Sequence, residues 1–301
     1  MTVLTTFTNL LRQSAAALRM LLVFTVLLGV GYPLAVLAIA QLPGFRSRAD
    51  GSLITRDGRV VGSKLIGQDF TGNYPRALLP QYFQSRPSAA GAGYDATASS
   101  ASNLGPESIV DRLPDPAVHG DTGAPSLLTQ VCERSRAYAE RYGVDGSRPF
   151  CTADGVGAVL AVFWSGPGYH GTITRVVSLN QTAPARPFIA TYHGVRVELA
   201  AFGTGYATAQ VVPIRGHASA HPAVPADAVT ASGSGLDPEI SPANADIQAR
   251  LVARTRHVSV ARVDALVRRF EKGRDLGFLG EPRVNVLQLN LALDEEYPLQ
   301  P

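Results

Sequence analysis

The chain has 301 residues, 46% of them hydrophobic and 17% charged, which is enough apolar content for a buried core and argues against a disordered chain. Its formal charge of +3 comes mainly from arginine, Lys64 and Lys272 being the only lysines, and the absence of a dense basic run argues against a nucleic-acid partner. Cys132 and Cys151, the only cysteines, are too few for a four-ligand zinc site and too far apart for a CxxC redox motif; outside the cytoplasm they could pair, and two free thiols fit the sequence as well.

Residues 20–42 are the stretch apolar enough to cross a bilayer, reaching roughly 35 Å at about 1.5 Å per residue against a hydrocarbon core of about 30 Å. Ala38-Ile39-Ala40 has the small-residue spacing of a signal-peptidase site, but the apolar run exceeds the roughly 7–15 residues of a signal-peptide core, so a retained helix is the better reading. Arg12 and Arg19 before the span and Arg46 and Arg48 after it leave orientation open. Within it, Gly29, Gly31 and Ala35 offer small surfaces for helix packing beside Tyr32, and Pro33 removes a backbone donor.

From residue 50 to 70 short apolar pairs alternate with glycine, which predicts a hairpin turned at Asp57-Gly58. Residues 74–105 are rich in Pro, Gly, Ser and Ala yet carry Tyr82, Phe83, Arg86, Ser88, Tyr94, Asp95, Ser102 and Asn103, so they read as a structured loop whose polar side chains hold its shape or face a partner. A helix is expected over residues 126–142 with Ser126 as its cap. Apolar and β-branched runs at 156–164, 172–179, 188–199 and 206–214 then predict a small antiparallel sheet of its own. Helices return at 242–255 after Ser241 and at 260–270 after Ser259, the second placing Val260, Val263, Val267 and Phe270 on one face and stopping at Gly273. Residues 283–293 fit a buried strand or a short helix.

Between them, Ser232-Gly233-Ser234-Gly235 lacks the first glycine of a nucleophile elbow, so hydrolysis at Ser234 is the weaker reading. The stronger one is a glycine-rich loop ending in Asp237 as a helix cap with Pro238 at the first helical position. No Walker lysine follows it. His217 and His221 stand four apart in a Gly- and Pro-rich stretch unsuited to a metal pair, so no metal is assigned.

Several tracts, taken in order, resemble the C subunit (KdpC) of the Kdp-type potassium-transporting P-type ATPase. They are Gly29-Val30-Gly31-Tyr32-Pro33-Leu34, Gly51-Ser52-Leu53-Ile54, and Val61-Gly62-Ser63-Lys64-Leu65-Ile66-Gly67-Gln68. Next come Tyr82-Phe83-Gln84-Ser85-Arg86-Pro87-Ser88-Ala89-Ala90, Tyr94-Asp95-Ala96 and Ser102-Asn103-Leu104-Gly105-Pro106. Near the end stand Val229-Thr230-Ala231-Ser232-Gly233-Ser234-Gly235-Leu236-Asp237-Pro238, Ile240-Ser241-Pro242-Ala243 and Gly280-Glu281-Pro282-Arg283-Val284-Asn285-Val286-Leu287.

The resemblance implies a single-pass, non-catalytic accessory subunit in the plasma (inner) membrane, assembled with a channel-like KdpA subunit and a phosphorylated KdpB subunit. It places residues 1–19 in the cytoplasm and the bulk of the chain outside, allowing a Cys132–Cys151 bridge without requiring one. It also implies raising the ATP affinity of the KdpB subunit, or the affinity for potassium, and association with ATP, with no covalently bound cofactor. The phosphorylation motif Asp-Lys-Thr-Gly is absent from this chain. The expected architecture is therefore α+β: a transmembrane helix at 20–42, a soluble domain at 43–142 and 223–301, and an inserted β-rich subdomain at 143–222 that departs from the family. The alternative is a membrane-tethered serine hydrolase using Ser234.

Overall fold

A computed structural model describes residues 2–72, 77–90, 93–97 and 104–299. It divides into two compact units, residues 1–65 and 66–301. The predicted loop residues Tyr74, Ser102 and Asn103 lie outside the described residues.

In the first unit, helix α1 (Thr2–Val26) runs into a single π-helical turn at Leu27–Gly31 and continues as α2 (Tyr32–Ala40). Proline has no N–H to donate and its ring crowds the carbonyl four residues back, so the widened turn directly before Pro33 relieves the clash without breaking the helix. The segment Thr6–Ala40 is long and apolar enough to cross a membrane. Helix therefore starts well before the expected span, through the polar turn holding Arg12 and Arg19. A short helix α3 (Arg46–Ala49) leads to the antiparallel hairpin β1 (Leu53–Arg56) and β2 (Arg59–Ser63). Asp57 and Gly58 turn it with φ of 50° and 74°, the left-handed pair that a two-residue hairpin with the strands' own twist requires.

In the second unit, α4 (Leu127–Tyr142) starts where the Ser126 hydroxyl accepts the Thr129 N–H and ends at Gly143 in the left-handed region. Cys132 on this helix is disulfide-bonded to Cys151, with Cα atoms 5.5 Å apart. Strands β3 (Val159–Gly166), β4 (His170–Ser178), β5 (Thr191–Tyr192), β6 (Val195–Leu199) and β7 (Gln210–Pro213) form one sheet in the order β5-β6-β4-β3-β7. Both faces of β3 are covered: Val159 and Ala161 pack with Ile109, Leu113 and Leu128, while Leu160 and Val162 pack with Val197, Phe188 and Val212. A strand buried on both sides needs an unbroken apolar run, which is how residues 158–164 read.

The sheet is mixed, which corrects the expectation of an antiparallel one: β4 and β6 pair in parallel, Val176 against Val197 and Ser178 against Leu199. Residues 179–194 loop back to the starting end of β4, and a parallel pair needs a crossover of that kind. The run expected at 188–199 is split by His193 and Gly194, whose positive φ turns β5 onto β6. Because Leu128 of α4 and Ile109 and Leu113 of the preceding loop enter its core, the sheet shares packing with flanking segments.

A short 3₁₀ turn at Ala226–Ala228 precedes β8 (Glu239–Ile240), α5 (Pro242–Thr255), α6 (Val260–Phe270), β9 (Glu271–Lys272), β10 (Arg283–Asn285) and α7 (Val286–Glu296). The strands pair as β8-β10-β9, antiparallel. Ala245, Ala249 and Val252 of α5, Val263, Leu266 and Val267 of α6, and Val286, Leu289 and Leu293 of α7 close one core around Phe83.

Three local expectations change. Asp237 does not cap a helix, because β8 follows Pro238 and the α5 cap is Ser241, whose hydroxyl accepts the Asn244 N–H. Helix α6 ends at Phe270 as expected, but it is stopped by the pairing of Glu271 and Lys272 with β10 and not by Gly273. Residues 283–293 are both things that the sequence allowed, a short strand and then a helix, with the Asn285 side chain accepting the Gln288 N–H at the switch.

Candidate functional site

Tracts far apart in sequence, 83–90 with 93–95 and 230–237, lie against each other in the second unit. Ser88 bridges Ser232 in parallel; the Ser232 N–H donates to the Pro87 carbonyl at 2.7 Å and the Ala89 N–H to the Ser232 carbonyl at 2.8 Å. The Asp95 N–H donates to the Ser234 carbonyl at 3.0 Å. Arg86 fastens the pair by donating to the Asp237 carboxylate at 2.8 Å and to the Thr230 carbonyl at 3.1 Å. Gly235, at φ 79°, must be glycine: a Cβ there would sit 2.5 Å from the Gly93 carbonyl oxygen.

The predicted loop residues thus mostly converge. Ser88 and Asp95 accept N–H groups from Ala90 and Thr97, and Ser232 and Ser234 accept them from Gly235 and Leu236, four local turns that hold the backbone. Among the described hydrogen bonds the Ser234 hydroxyl meets no imidazole, which gives the hydrolase reading no support. Asn285 is elsewhere, capping α7. Gly29, Gly31, Tyr32, Pro33 and Ala35 lie in the apolar helix of the first unit. Among the described residues no cluster of three metal-ligating side chains occurs.

Two buried amides that sequence reasoning missed set the start of this assembly. Asn290 on α7 accepts the Phe83 N–H at 2.9 Å and returns its own N–H to the Phe83 carbonyl at 2.9 Å. Gln248 on α5 does the same for Gln84, at 2.7 and 3.1 Å. Each side chain mimics a neighbouring strand, so the loop's backbone is satisfied without a sheet. Gln248 also donates to Asn244, which accepts the Tyr138 hydroxyl at 2.7 Å. The readable signal was Asn244 and Gln248, one helical turn apart on a stripe otherwise made of Ala245, Ala249 and Val252.

Arg256 is the third fastening and was also missed. Its guanidinium is fully buried, donating to the carbonyls of Gln81, Leu293 and Tyr297 and to Asp294 at 2.7 Å, with the Tyr82 ring 4.9 Å away.

A cleft of about 380 Å³ opens beside these segments, lined by Phe70, Arg86, Tyr94, Arg134, Tyr138 and Arg141 among others. Burial pushes the Tyr142 phenol at its edge up to about 12, and burial, with Tyr142 and Asp227 nearby, pushes Tyr138 higher still. Burial lowers the Arg134 guanidinium from its usual range. The donors of Arg86 are directed to Asp237 and Thr230, and those of Arg134 to the Val229 carbonyl and Gln130, so these two charges serve the walls of the cleft. The arrangement is a rigid, hydrogen-bonded surface.

Comparison with known sequences matches the model of a protein family described as K+-transporting ATPase, c chain, over residues 14–112 and 205–295. Similar curated proteins include the potassium-transporting ATPase KdpC subunit of Kineococcus radiotolerans, 40% identical over 97% of this chain and 97% of the relative. Those of Mycobacterium tuberculosis and Rhodospirillum rubrum are each 37% identical, over 94% and 96% of this chain and 98% and 99% of theirs. Residues 113–204, which the family model leaves unmatched, begin and end earlier than the expected insertion at 143–222. An alignment of 291 residues leaves little of that stretch out, so the Kineococcus relative carries it too.

Proposed function

The chain belongs to the KdpC family of potassium-transporting ATPase subunits, and on that premise we propose that it acts by assembly, as a non-catalytic partner of the ion-translocating and phosphorylated subunits. Its accessory role in potassium transport follows from the family. The observation that supports assembly through the membrane helix is steric. A Cβ on Gly29 or Gly31 would meet nothing of this chain nearer than 3.9 and 3.7 Å, so the local fold makes no demand for glycine there. Glycine in a helix costs about 1 kcal/mol relative to alanine, and a closely packed neighbouring helix offsets that cost. The π turn before Pro33 adds backbone carbonyls for such a neighbour to satisfy.

The bulk of the chain is placed outside the cytoplasm, a location that the Cys132–Cys151 disulfide favours because such bonds persist in oxidising compartments. There the rigid surface of residues 83–90, 93–95 and 230–237 stabilises the partner subunits. Association with ATP, which the family resemblance implies, fits poorly with a domain outside the cytoplasm, and the cleft's Arg86 and Arg134 are already engaged in its walls. Replacing Gly31→Leu or Pro33→Leu tests the helix role: both variants are expected to lower the fraction of this chain that co-purifies with the large subunits. Co-purification equal to the parent's would overturn it.

A further inference from the structure

Between β9 and β10 the chain makes a tight excursion whose tip is apolar and in water. Leu276 is 82% exposed, Phe278 69% and Leu279 49%. The turn is closed rather than loose: the Asp275 N–H donates to the Leu279 carbonyl at 2.8 Å, and the Leu279 N–H returns to the Asp275 carbonyl at 2.9 Å. Leu276 holds a φ of 53°, a left-handed conformation in which a leucine costs about 1–2 kcal/mol more than glycine. A residue both strained and exposed contributes nothing to the fold that asparagine or glycine would not supply better. Its side chain takes no part in the apolar clusters of the described residues.

The stem below the tip is braced by ion pairs. Arg283 donates to Asp275 at 2.9 Å, to Glu239 at 3.2 Å and to the Gly273 carbonyl at 3.2 Å, and Arg274 pairs with Glu281 at 2.6 Å. Residues 271–283 hold three basic and three acidic side chains, so the stem carries no net charge. An anionic lipid surface is met by several unpaired lysines and arginines around an apolar tip; here Arg274 and Arg283 are taken up by carboxylates, which leaves Lys272 as the one stem cation outside the ion pairs of the described residues. A preorganised apolar tip on a neutral stem suits an apolar pocket in a protein, where little conformational freedom is lost on binding.

We propose that Leu276, Phe278 and Leu279 form a docking finger that enters an apolar pocket on an extramembrane loop of a partner subunit. The assignment rests on the subunit reading above.

The test uses the whole complex in native membranes, with a benzophenone amino acid in place of Phe278 and, separately, the double variant Leu276→Asn with Phe278→Ser. Asparagine tolerates the left-handed turn, so an unchanged Trp164 fluorescence transition shows that the variant keeps its fold. Irradiation is expected to give an adduct with one of the large polytopic subunits. The double variant is expected to weaken retention in the complex about thirtyfold. Adducts only with lipid or with a second copy of this chain, no adduct, or retention equal to the parent's, would overturn the finger while the parent still co-purifies. A parent chain that does not co-purify removes the subunit reading and this inference with it.

Discussion

Replacing Gln248→Leu removes one of the two buried amides that hold residues 83–84 while leaving the volume on α5 nearly unchanged. The Gln248 side chain accepts the Gln84 N–H at 2.7 Å and donates to the Gln84 carbonyl at 3.1 Å, and both bonds are buried. Leucine satisfies neither. A buried backbone group left without a partner costs about 1–3 kcal/mol, so the two together cost about 4 kcal/mol. Burying the leucine side chain offsets about 1 kcal/mol, leaving a net loss of about 3 kcal/mol. The full chain in mild detergent is titrated with urea and followed by Trp164 fluorescence, Trp164 being the single tryptophan. Arg250→Leu, on the exposed face of the same helix, is the control and is expected to change stability by about 0.5 kcal/mol or less. A loss below about 1 kcal/mol for Gln248→Leu, or one matched by the control, would refute the argument that this amide carries the loop.

The disulfide closes a loop of sequence separation 19, so Cys132→Ser is expected to cost about 3 kcal/mol. Thiol labelling of the denatured, unreduced parent is expected to find no free cysteine; two reactive thiols would contradict the bridge and the location that it favours. The Tyr142 phenol is held near 12 by burial, against an unfolded value of 10.0, so the folded chain keeps a proton that the unfolded chain releases. Stability from this group is complete below about pH 10 and falls as the pH rises toward 12. Tyr142→Phe is expected to shift alkaline unfolding to higher pH, and an unchanged midpoint would sink that assignment.

Short-range physics was legible in the sequence. The caps at Ser126 and Ser241 and the turn at Asp57-Gly58 depend on neighbours within a few residues, and the structure has them where the pattern placed them. Asp237 misled because two cap-and-proline pairs, Asp237-Pro238 and Ser241-Pro242, stand side by side; the Asp237 carboxylate is taken by Arg86, 151 residues away, and Pro238 leads into β8, which pairs with β10. The parallel pairing of β4 and β6 was hidden for the same reason, since a crossover fixes direction and residue alternation does not. The candidate surface was half legible: Arg86, Ser88, Asp95, Ser232, Ser234 and Asp237 were singled out separately, and only the fold brings them into one lattice. Gln248 and Asn290 escaped because their partners lie 164 and 207 residues away. Polar residues on an apolar helix stripe are the one trace that they leave.

Purification of this chain from its native membrane in mild detergent tests the assembly claim most directly. Two large polytopic subunits are expected with it in stoichiometric amount, one of them carrying Asp-Lys-Thr-Gly. A chain that purifies alone, from membranes shown to contain both subunits, would contradict it.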